Sequence, residues 1–500
     1  MSRSQQWWAL GLLAFINLLN YLDRNVIFAL FESIKRDLSL TDTQLGWLGA
    51  AYILVFSVAA LPFGVISDVK SRKAVIAGGT ALFSIFTALG GLVTSFNQLF
   101  ITRAAVGIGE AAYGPASTSM VADYFPGRHR AFSMSVLAAG VPVGGVLGIL
   151  LGGYLEGIYG WRVALMTVGL PGLFCAAMVS RLVDPAREEV ALNFRNLVRR
   201  LEIGVRGVVR QLAPLLILSA IGLAGAYLLS LRYGTESKID AAIAGAAIGL
   251  GVILTIWRWV RLLRTDRRAE TPFTPQLEGA VDDLLNAGRT VLGTPTLVYI
   301  FIAGAMISFG MNGLVGWGPT FMSREFGLTS GAAAALLGKW GLLSGVLGAL
   351  TGGVIADWLR RWTERSRVIT IATGFLLGGP LAVWLMTVHE LAVFVPWFAV
   401  AFFFLSWYNG PMSAVIFDVV PARIGSTVVG AYLLFIHLAG DAIALPLVGA
   451  LSDKFGIERA VIVLPVVSLL GGVVMLGAMR TVVRDMRRVQ ALTEAEVLGI

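Results

Sequence analysis

The sequence predicts an all-α membrane protein made of two related bundles of six helices. Three observations support this: apolar runs of spanning length recur along the chain, short motifs recur in its two halves, and the charged residues cluster between the apolar runs. Of the 500 residues, 57% are hydrophobic and only 14% are charged, and the mean hydropathy is +0.79. This composition is too apolar for a soluble protein.

Apolar segments long enough to cross a bilayer define the predicted helices in order. The first six lie near residues 7–31, 43–66, 74–94, 97–122, 131–155 and 162–182. The second six lie near residues 295–321, 331–357, 368–387, 391–417, 426–450 and 460–479. The segment between the two sets contains two further apolar stretches of spanning length, at about 213–231 and 241–260. We therefore predict an N-terminal bundle at 1–185, a basic cytoplasmic linker with two inserted transmembrane helices at 186–293, a C-terminal bundle at 294–482 and a cytoplasmic tail at 483–500.

The net charge of +9 does not predict a nucleic-acid partner, because Lys and Arg cluster in short loops and flanks between apolar runs. The positive-inside rule then places both termini in the cytoplasm, and we expect a multi-pass protein of the cell (inner) membrane. The single cysteine, Cys175, lies in an apolar run and supports neither a disulfide framework nor a cysteine metal site. We expect no cofactor and no bound metal, and a monomeric protein.

Two pairs of motifs indicate that the halves are homologous. The stretch "GVISDVKSRK" at 64–73 is matched by "GVIADWLRR" at 353–361, and "DYFPGR" at 123–128 is matched by "DVVPAR" at 418–423. The aspartates of the two pairs are separated by nearly equal lengths of chain, 289 and 295 residues. Chance matches between short motifs would rarely agree so closely, so we expect an internal repeat.

These motifs carry a resemblance to a known family. The stretch "GVISDVKSRK" resembles the signature loop between helices 2 and 3 of the major facilitator superfamily, G-x-L-x-D-R-x-G-R-K, from which Val69 and Ser71 depart. Within that superfamily, "NYLDRNV" at 20–26 and "RAAVGIGEAAYGPA" at 103–116 resemble the spinster family of lysolipid and sphingolipid transporters. The resemblance implies the major facilitator fold and transport of a lysophospholipid or a sphingosine-1-phosphate-like lipid.

The repeated loop motifs are candidates for gating. A carboxylate at a membrane face can accept hydrogen bonds from the N-terminus of a neighbouring helix and pair with nearby Arg or Lys, which can hold two halves in one state and release them in another. The alternative is that these charges only set topology in tight turns. The candidate gating residues are Asp68, Arg72, Lys73, Asp123, Arg128, Asp357, Arg360, Asp418 and Arg423.

Charged residues inside the first and fourth predicted spans are the main functional candidates. A charge near the centre of a bilayer costs about 2.5 to 3.5 kcal/mol on insertion scales, so such residues are functional candidates by default. Asp23 and Arg24 lie roughly 10 to 12 Å from the end of the first span, and Arg103 lies about 9 Å from the end of the fourth, at 1.5 Å per residue. Glu110 shares a helix face with Arg103 and lies two turns deeper, level with Asn17 and Asn20.

The four charges sum to zero, which predicts that they pair. We expect Asp23 to pair with Arg103, while Glu110 pairs with Arg24 or stays protonated. Adjacent residues on a helix point about 100° apart, so Asp23 and Arg24 should serve different neighbours. We assign proton coupling to Asp23 and Glu110, and substrate binding to Arg24 and Arg103, because arginine binds phosphate and carboxylate bidentately.

The polar stripe of the first span should line the same cavity, since its residues recur at spacings of three and four. Asn17, Asn20 and Tyr21 are therefore further candidates for substrate binding. Proton uptake on Asp23 or Glu110 would free an arginine for an anionic headgroup. The structural alternative is a buried network of ion pairs that only fastens the first span to the fourth.

The second half offers fewer candidates. His437 and Asp441 are four residues apart on one helix face and are secondary candidates for proton transfer or, equally, for helix packing. Asn312, Lys339 and Trp407 are candidates for cavity-lining residues that bind substrate, although scattered aromatics in membrane helices more often pack or anchor at the interface.

The sequence thus favours a secondary transporter that works by alternating access and is coupled to protons. Few Asn and Gln lie in the spans, so an amphipathic anion suits the chain better than a sugar. A first alternative is proton-coupled transport of another small organic anion or a drug. An intramembrane lipid-modifying enzyme is the rival of a different class, but the sequence lacks H-E-x-x-H, G-x-S-x-G and Walker motifs. A channel ranks third because nothing resembles a selectivity filter.

Overall fold

A computed structural model gives the architecture of the chain. It describes residues 2–69, 71–125, 129–184, 290–421 and 424–498, with scattered positions between 213 and 288. The chain divides into one unit formed by Met1–Glu189 with Thr294–Ile500, and a second unit formed by Val190–Gly293. The two predicted linker helices fall mostly outside the described residues, and only the first unit is considered below.

The first half of the first unit contains six helices. They are α1 (Arg3–Ala29), α2 (Phe31–Leu38), α3 (Asp42–Val69), α4 (Arg72–Gly90), α5 (Phe96–Tyr124) and α6 (Arg130–Val179). Helix α1 begins with a capping box in which the Ser2 hydroxyl accepts from the amide of Gln5 and the Gln5 side chain accepts from the amide of Ser2. The short helix α2 ends at Ser39, whose φ of 52° turns the chain into α3.

The second half follows with α7 (Pro295–Phe326), α8 (Ser330–Leu359), α9 (Ser366–Leu385), α10 (Leu391–Leu405) and α11 (Asn409–Asp418). It continues with α12 (Gly425–Ile436), α13 (Ala442–Phe455), α14 (Ile457–Ala460), α15 (Val463–Ala478) and α16 (Val482–Leu498). A 3-10 turn at Ser406–Tyr408 joins α10 to α11, and a π-helical turn at His437–Asp441 joins α12 to α13.

The described helices confirm the predicted fold class and correct several boundaries. The fifth and sixth predicted spans both lie in α6, which consists of two helices joined at Gly160, where the backbone is non-helical with a φ of 80°. The spans predicted at 391–417 and 426–450 are each interrupted by a non-α turn. Such interruptions in membrane helices often lie at functional sites.

Ten described helical segments are long and apolar enough to cross a membrane. The segment Phe132–Val179 counts once among them although it contains both spans of α6. Helix α5, which carries Arg103 and Glu110, is not among the ten. With α6 counted twice and α5 included, the described residues contain the twelve predicted spans of a multi-pass membrane protein.

Helix packing places the functional candidates between neighbouring helices. In the first half α1 packs along α6, and α5 packs against α3 and α4. In the second half α15 packs against α7 and α9, and α10 packs against α8 and α9. The halves meet where α3 packs along α13 and where α6 packs along α8. A core of side chains such as Leu13, Ile16, Val106 and Tyr113 fills the first half.

Candidate functional site

Asp23 is bound from two other helices. Its carboxylate accepts a hydrogen bond from Arg103 of α5 at 3.3 Å between Oδ1 and Nη1, and a second from the hydroxyl of Thr87 of α4 at 2.5 Å. The other terminal nitrogen of Arg103 donates to the main-chain oxygen of Asp23 at 3.4 Å. The two charged side chains are only 2% and 3% exposed, so this ion pair is removed from solvent.

Arg24 turns to a different partner. Its Nε donates to Oε2 of Glu110 at 2.7 Å, and the Glu110 side chain is fully buried. The side chain of Arg24 remains 16% exposed, whereas that of Arg103 is 3% exposed. The predicted pairing of the four charges is confirmed, and of the two arginines Arg24 is the more accessible.

Three aromatic rings surround the Arg24 guanidinium. Its central carbon lies 4.4 Å from the ring centre of Tyr21, 4.9 Å from that of Tyr52 and 4.4 Å from that of Phe56. Tyr52 and Phe56 are one turn apart on α3, and their rings stack at 5.7 Å. The guanidinium faces are therefore in contact with the negative faces of π systems, which stabilise a cation. We call Tyr21, Tyr52 and Phe56 the aromatic box.

Gly107 allows α3 and α5 to meet at this point. A Cβ built on Gly107 would lie 2.7 Å from the carbonyl oxygen of Tyr52 and 3.0 Å from the amide nitrogen of Phe56. Only glycine leaves room for so close an approach between the two backbones. The backbone of α3 therefore takes the space that Gly107 leaves between Arg103 and Glu110 on α5.

Sequence analysis missed Thr87, Tyr52 and Phe56. Tyr52 and Phe56 share a helix face, which the spacing of four residues would have shown, but nothing in the sequence says that this face meets Arg24. Thr87 is one of several hydroxyl residues in an otherwise apolar helix. Its bond to Asp23 follows from the packing of α4 in the first half, which a single sequence does not specify.

The amides of α1 have different surroundings. Asn17 donates to the carbonyl oxygen of Leu137 in α6 at 2.8 Å, so it joins two helices of the first half. Asn20 is 2% exposed, and its side-chain oxygen has no hydrogen-bond partner among the described residues. Asn20 therefore retains an unused acceptor inside the protein, whereas Asn17 has a structural contact.

A second polar cluster lies at the π-helical turn in the second half. The Asp441 carboxylate accepts hydrogen bonds from the Ser308 hydroxyl, from the Asn312 amide at 2.9 Å, and pairs with Nδ1 of His437 at 2.6 Å. Asp441 is 3% exposed. The predicted His437 and Asp441 contact is therefore present, and Asn312 belongs to the same cluster.

The other two candidates of the second half lie apart from this cluster. Lys339 is exposed on α8, with its ammonium nitrogen 5.3 Å from the ring centre of Trp340. Trp407 is 8% exposed in the 3-10 turn and packs against Phe403 and Phe404. Its indole nitrogen has no hydrogen-bond partner among the described residues. Trp407 thus packs within its own half.

The loops that carry the repeated motifs are paired within their own halves. Arg72 forms an ion pair with Asp123, and Arg367 forms one with Asp418, to which Arg360 approaches at 3.9 Å. Arg72 contacts Asp123 because the start of α4 lies beside the end of α5 at this end of the bundle.

Other gating candidates show fewer contacts or fall outside the described part of the chain. Lys73 is half-buried and Asp357 is exposed. Arg128, Arg423 and the side chain of Asp68 lie outside the described atoms.

The opposite end of the bundle carries a network that joins the halves. Arg324 of α7 donates to both carboxylate oxygens of Asp42 at 2.7 and 2.8 Å, and to Glu32 at 2.8 Å. Lys35 and Ser452 also donate to Asp42, at 2.6 and 2.5 Å. We call Glu32, Lys35, Asp42, Arg324, Ser452 and Asp453 the clamp.

Asp453 completes the clamp by capping helix α3. Its carboxylate accepts from the amides of Asp42 and Thr43 at 2.8 and 2.9 Å, and from the Thr43 hydroxyl at 2.6 Å. These amides have no partner inside their own helix, and a carboxylate at a helix N-terminus is also favoured by the helix dipole. The clamp and Thr43 thus link the two halves by polar side-chain contacts.

The sequence analysis did not predict the clamp, although a short motif in the sequence indicates it. The stretch "GALSD" at 449–453 shares G-x-x-S-D with "GVISD" at 64–68, and it comes from α13, which packs along α3. Gly449 lets the backbones meet, since a Cβ there would lie 2.3 Å from the carbonyl oxygen of Asp42. Beside the clamp, a cavity of about 810 Å³ opens between residues that include Glu32, Lys35, Glu156 and Ser330.

No group of three or more His, Cys, Asp or Glu that could hold a metal ion occurs in the described part of the chain. The site brings together two buried carboxylates and two guanidinium groups. Protonation of a carboxylate in such a pair weakens its bond to the arginine, so the arginine can bind another partner.

Comparisons with known proteins connect this arrangement with transport. The model of the Major Facilitator Superfamily matches residues 13–440. An MFS-type efflux pump of Mycolicibacterium smegmatis is 26% identical over 449 residues, which cover 90% of this chain and 85% of the relative. The sphingosine-1-phosphate transporter SPNS2 of Danio rerio is 32% identical over 183 residues, which cover 36% of each chain.

A solved structure shares the fold along nearly the whole chain. It is the crystal structure of a bacterial homolog to the human lysosomal transporter spinster, in an inward-facing and unoccupied conformation. The TM-score is 0.72 at 20% identity, and the match covers 97% of this chain and 99% of that one. The resemblance predicted from the two motifs in the first and fourth spans is therefore confirmed at the level of the fold and the family.

Proposed function

This chain belongs to the Major Facilitator Superfamily, and we propose that it is a secondary active transporter of an amphipathic, anionic, lipid-like substrate, coupled to protons. The substrate class that we propose is a lysophospholipid or a sphingosine-1-phosphate-like lipid. The relationship to transporters of this family along most of the chain supports a transporter and not a lipid-modifying enzyme.

The observation that carries the proposal is the pair of buried ion pairs between α1 and α5. Breaking a buried ion pair by removing one partner is strongly unfavourable, about 3 to 5 kcal/mol, because it leaves an unpaired charge. A proton on Glu110 and an anion on Arg24 would together remove this penalty. Glu110 would then be neutral, and the charge of Arg24 would be paired with the anion. Proton and anion would therefore bind cooperatively at this site.

The proton-coupling residues that we propose are Glu110 and Asp23. Protonation of Glu110 would weaken its hold on Arg24 and leave the guanidinium available to a headgroup. Asp23 has Arg103 and Thr87 as donors, so its carboxylate is held more firmly than that of Glu110. We place Glu110 first in the coupling step and Asp23 second, with the His437 and Asp441 pair as a further candidate for proton transfer in the second half.

The substrate class follows from the chemistry of the site. An arginine with aromatic neighbours offers hydrogen bonds to an oxyanion and apolar surface to the atoms next to it. Substrate contacts from Asn20, Tyr21, Asn312, Lys339 and Trp407 belong to this proposal. The printed name of the Danio rerio relative, a sphingosine-1-phosphate transporter, adds support for an amphipathic phosphate.

Gating is proposed to use the two ends of the bundle in turn. With the basic loops in the cytoplasm by the positive-inside rule, the clamp lies at the outer face of the inner membrane. The clamp would hold the outer end closed while the loop motifs, paired within their own halves, leave the inner end free to open. Alternating access would then need the clamp to release.

The test is transport by purified protein in liposomes with an imposed pH gradient. Glu110→Gln should bind substrate but fail to couple its movement to protons, and Asp23→Asn should reduce coupling. Arg24→Ala should lose both binding and transport. If Asp23→Asn, Arg103→Ala and Glu110→Gln all transport normally and lose only thermal stability, the charges fasten helices and the proposal is wrong.

A second candidate substrate is another small organic anion or a drug. The match to an efflux pump over most of both chains favours this candidate. The same liposomes distinguish the two candidates. If the substrate is a lysolipid, lysophosphatidic acid should inhibit uptake of a labelled lysolipid. If the substrate is a drug, lysophosphatidic acid should leave drug-driven proton flux unchanged.

A further inference from the structure

We propose that the anionic headgroup binds at the terminal nitrogens of Arg24 and that Tyr52 and Phe56 make this site selective for anions. This inference rests on the proposed function and names residues that sequence reasoning did not find. It also separates the two arginines, because it assigns the headgroup to Arg24 and leaves Arg103 with Asp23.

The first argument is which nitrogens are free. Arg24 uses Nε for Glu110, and within the described part of the chain no hydrogen bond reaches its two terminal nitrogens. Both terminal nitrogens of Arg103 already donate to Asp23. An incoming phosphate or carboxylate can therefore form two parallel bonds with Arg24 while the Arg24 side chain stays where it is.

The second argument is the environment of the guanidinium. The three rings of the aromatic box lie within 4.9 Å of the central carbon of the guanidinium, and a ligand anion binds this group along its edge, where the N–H groups point. Contact with aromatic faces also compensates the cation for water lost on burial. The charge of Arg24 can thus stay desolvated during the interval in which Glu110 has released it and the anion has not arrived.

The third argument is the free oxygen of Glu110. Its Oε2 accepts from Arg24, but Oε1 is buried and has no hydrogen-bond partner among the described residues. The buried hydroxyl of Tyr52 lies beside this carboxyl. A proton that enters the site can settle on Oε1, and the Tyr52 oxygen can then accept from it, because a hydroxyl can donate or accept.

Every charged or titratable group that faces Glu110 takes part in this arrangement. Arg24 faces it from α1, Asp23 precedes Arg24 on the same helix, and Tyr52 faces it from α3. Tyr21 lies against Arg24 and near Tyr52. Arg103 of α5 is bound to Asp23. The balance between Glu110 and a bound anion is therefore set mainly by Arg24 and Tyr52.

The experiment measures equilibrium binding of two probes to the full-length protein in nanodiscs. The probes are lysophosphatidic acid and monoacylglycerol with the same acyl chain, which differ only in the phosphate. Phe56→Leu and Tyr52→Leu remove a ring while keeping an apolar side chain. Phe96→Leu, in a ring pair at the start of α5, is the matched control.

We expect Phe56→Leu and Tyr52→Leu to weaken binding of lysophosphatidic acid about 3- to 30-fold, the range that corresponds to a desolvated cation–π contact. Monoacylglycerol binding should not change, and Phe96→Leu should affect neither probe. Tyr52→Phe, which restores the ring, should recover most of the loss of Tyr52→Leu.

Two results would overturn the inference alone. In the first, both ring-deleting variants bind lysophosphatidic acid as tightly as the unmodified protein. In the second, they lose both probes equally, which would mean that the rings only pack. If the unmodified protein does not distinguish the two probes, or if Arg24→Ala still does, the proposed substrate class or its binding site is wrong, and this inference is wrong with it.

Discussion

At the scale of single residues, the position of a charge on its helix decides which partner it meets. Asp23 and Arg24 are adjacent in sequence but point to different neighbours, because successive side chains on a helix are about 100° apart. Asp23 meets Arg103 and Arg24 meets Glu110. Two neutral pairs are therefore buried where four separate charges would be prohibitively costly.

Removing one member of the Asp23–Arg103 ion pair should destabilise the fold more than removing both. We expect Arg103→Ala to lower the free energy of unfolding by about 3 to 5 kcal/mol, because Asp23 is left buried without its ion pair. The double variant Asp23→Asn with Arg103→Ala should recover most of that loss. Denaturant unfolding of the purified protein in detergent measures both, and equal losses in the two variants would contradict the pairing.

Residue-level prediction from the sequence succeeded where charge balance and helical spacing were sufficient. Asp23, Arg24, Arg103 and Glu110 could be paired because they are rare ions in apolar helices and sum to zero. The aromatic box could not be found, because aromatic residues are common in membrane helices and their neighbours depend on how α3 rotates against α1.

At the scale of elements, the site depends on how closely helices α3 and α5 approach. Gly107 stands where a side chain would overlap the backbone of α3 between Tyr52 and Phe56. The sequence predicted both helices and their approximate ends. It did not predict the non-α turns at Ser406–Tyr408 and His437–Asp441, because both lie within segments of spanning length, each of which the sequence predicts as one continuous helix.

Gly107→Ala should separate the two helices and weaken the site. A Cβ at 2.7 Å from a carbonyl oxygen forces the backbones apart, at a cost of about 1 to 3 kcal/mol in unfolding free energy. Binding of lysophosphatidic acid should weaken as Tyr52 and Phe56 move from Arg24.

The matched control for this change is Gly114→Ala on the same helix, where a Cβ would have no neighbour within 4 Å. Gly114→Ala should leave stability and binding close to those of the unmodified protein, since alanine is a better helix former than glycine. Equal effects of the two changes would show that helix propensity, and not the approach of α3 to α5, decides the result.

At the scale of the whole molecule, the clamp lies at one end and the repeated loop motifs at the other. The two-bundle architecture could be predicted from length, hydropathy and the repeat of motifs, because these properties depend on the membrane and on internal homology. The closed end could not, because Asp42, Arg324 and Asp453 look like ordinary loop charges until α3 is placed beside α13.

Loss of the clamp should shift the molecule towards a state open at that end. Asp42→Asn with Arg324→Gln removes the ion pair between the halves. Spin labels at Arg36 in the first half and Leu328 in the second, which both line the 810 Å³ cavity, report the separation of the halves. Pulsed electron-electron double resonance should show a larger population with a long distance between the two labels in this variant than in the unmodified protein.

Asp37→Asn is the control for the clamp, because Asp37 pairs with Arg162 at the same end but within the first half. Its distance distribution should match that of the unmodified protein. A clamp variant with an unchanged distribution would mean that apolar packing of α3 on α13 and of α6 on α8 closes this end without help from the charges.

The central claim for the whole molecule is that an anion on Arg24 and a proton on Glu110 arrive together. Infrared difference spectroscopy tests it most directly, by recording the carboxyl stretching region at fixed pH before and after an ether-linked lysophosphatidic acid, which has no ester carbonyl, is added to the protein in nanodiscs. We predict that binding produces a protonated carboxyl band, and that this band is absent in Glu110→Gln. Tight binding with no new carboxyl band, or with a band that persists in Glu110→Gln, would contradict the claim.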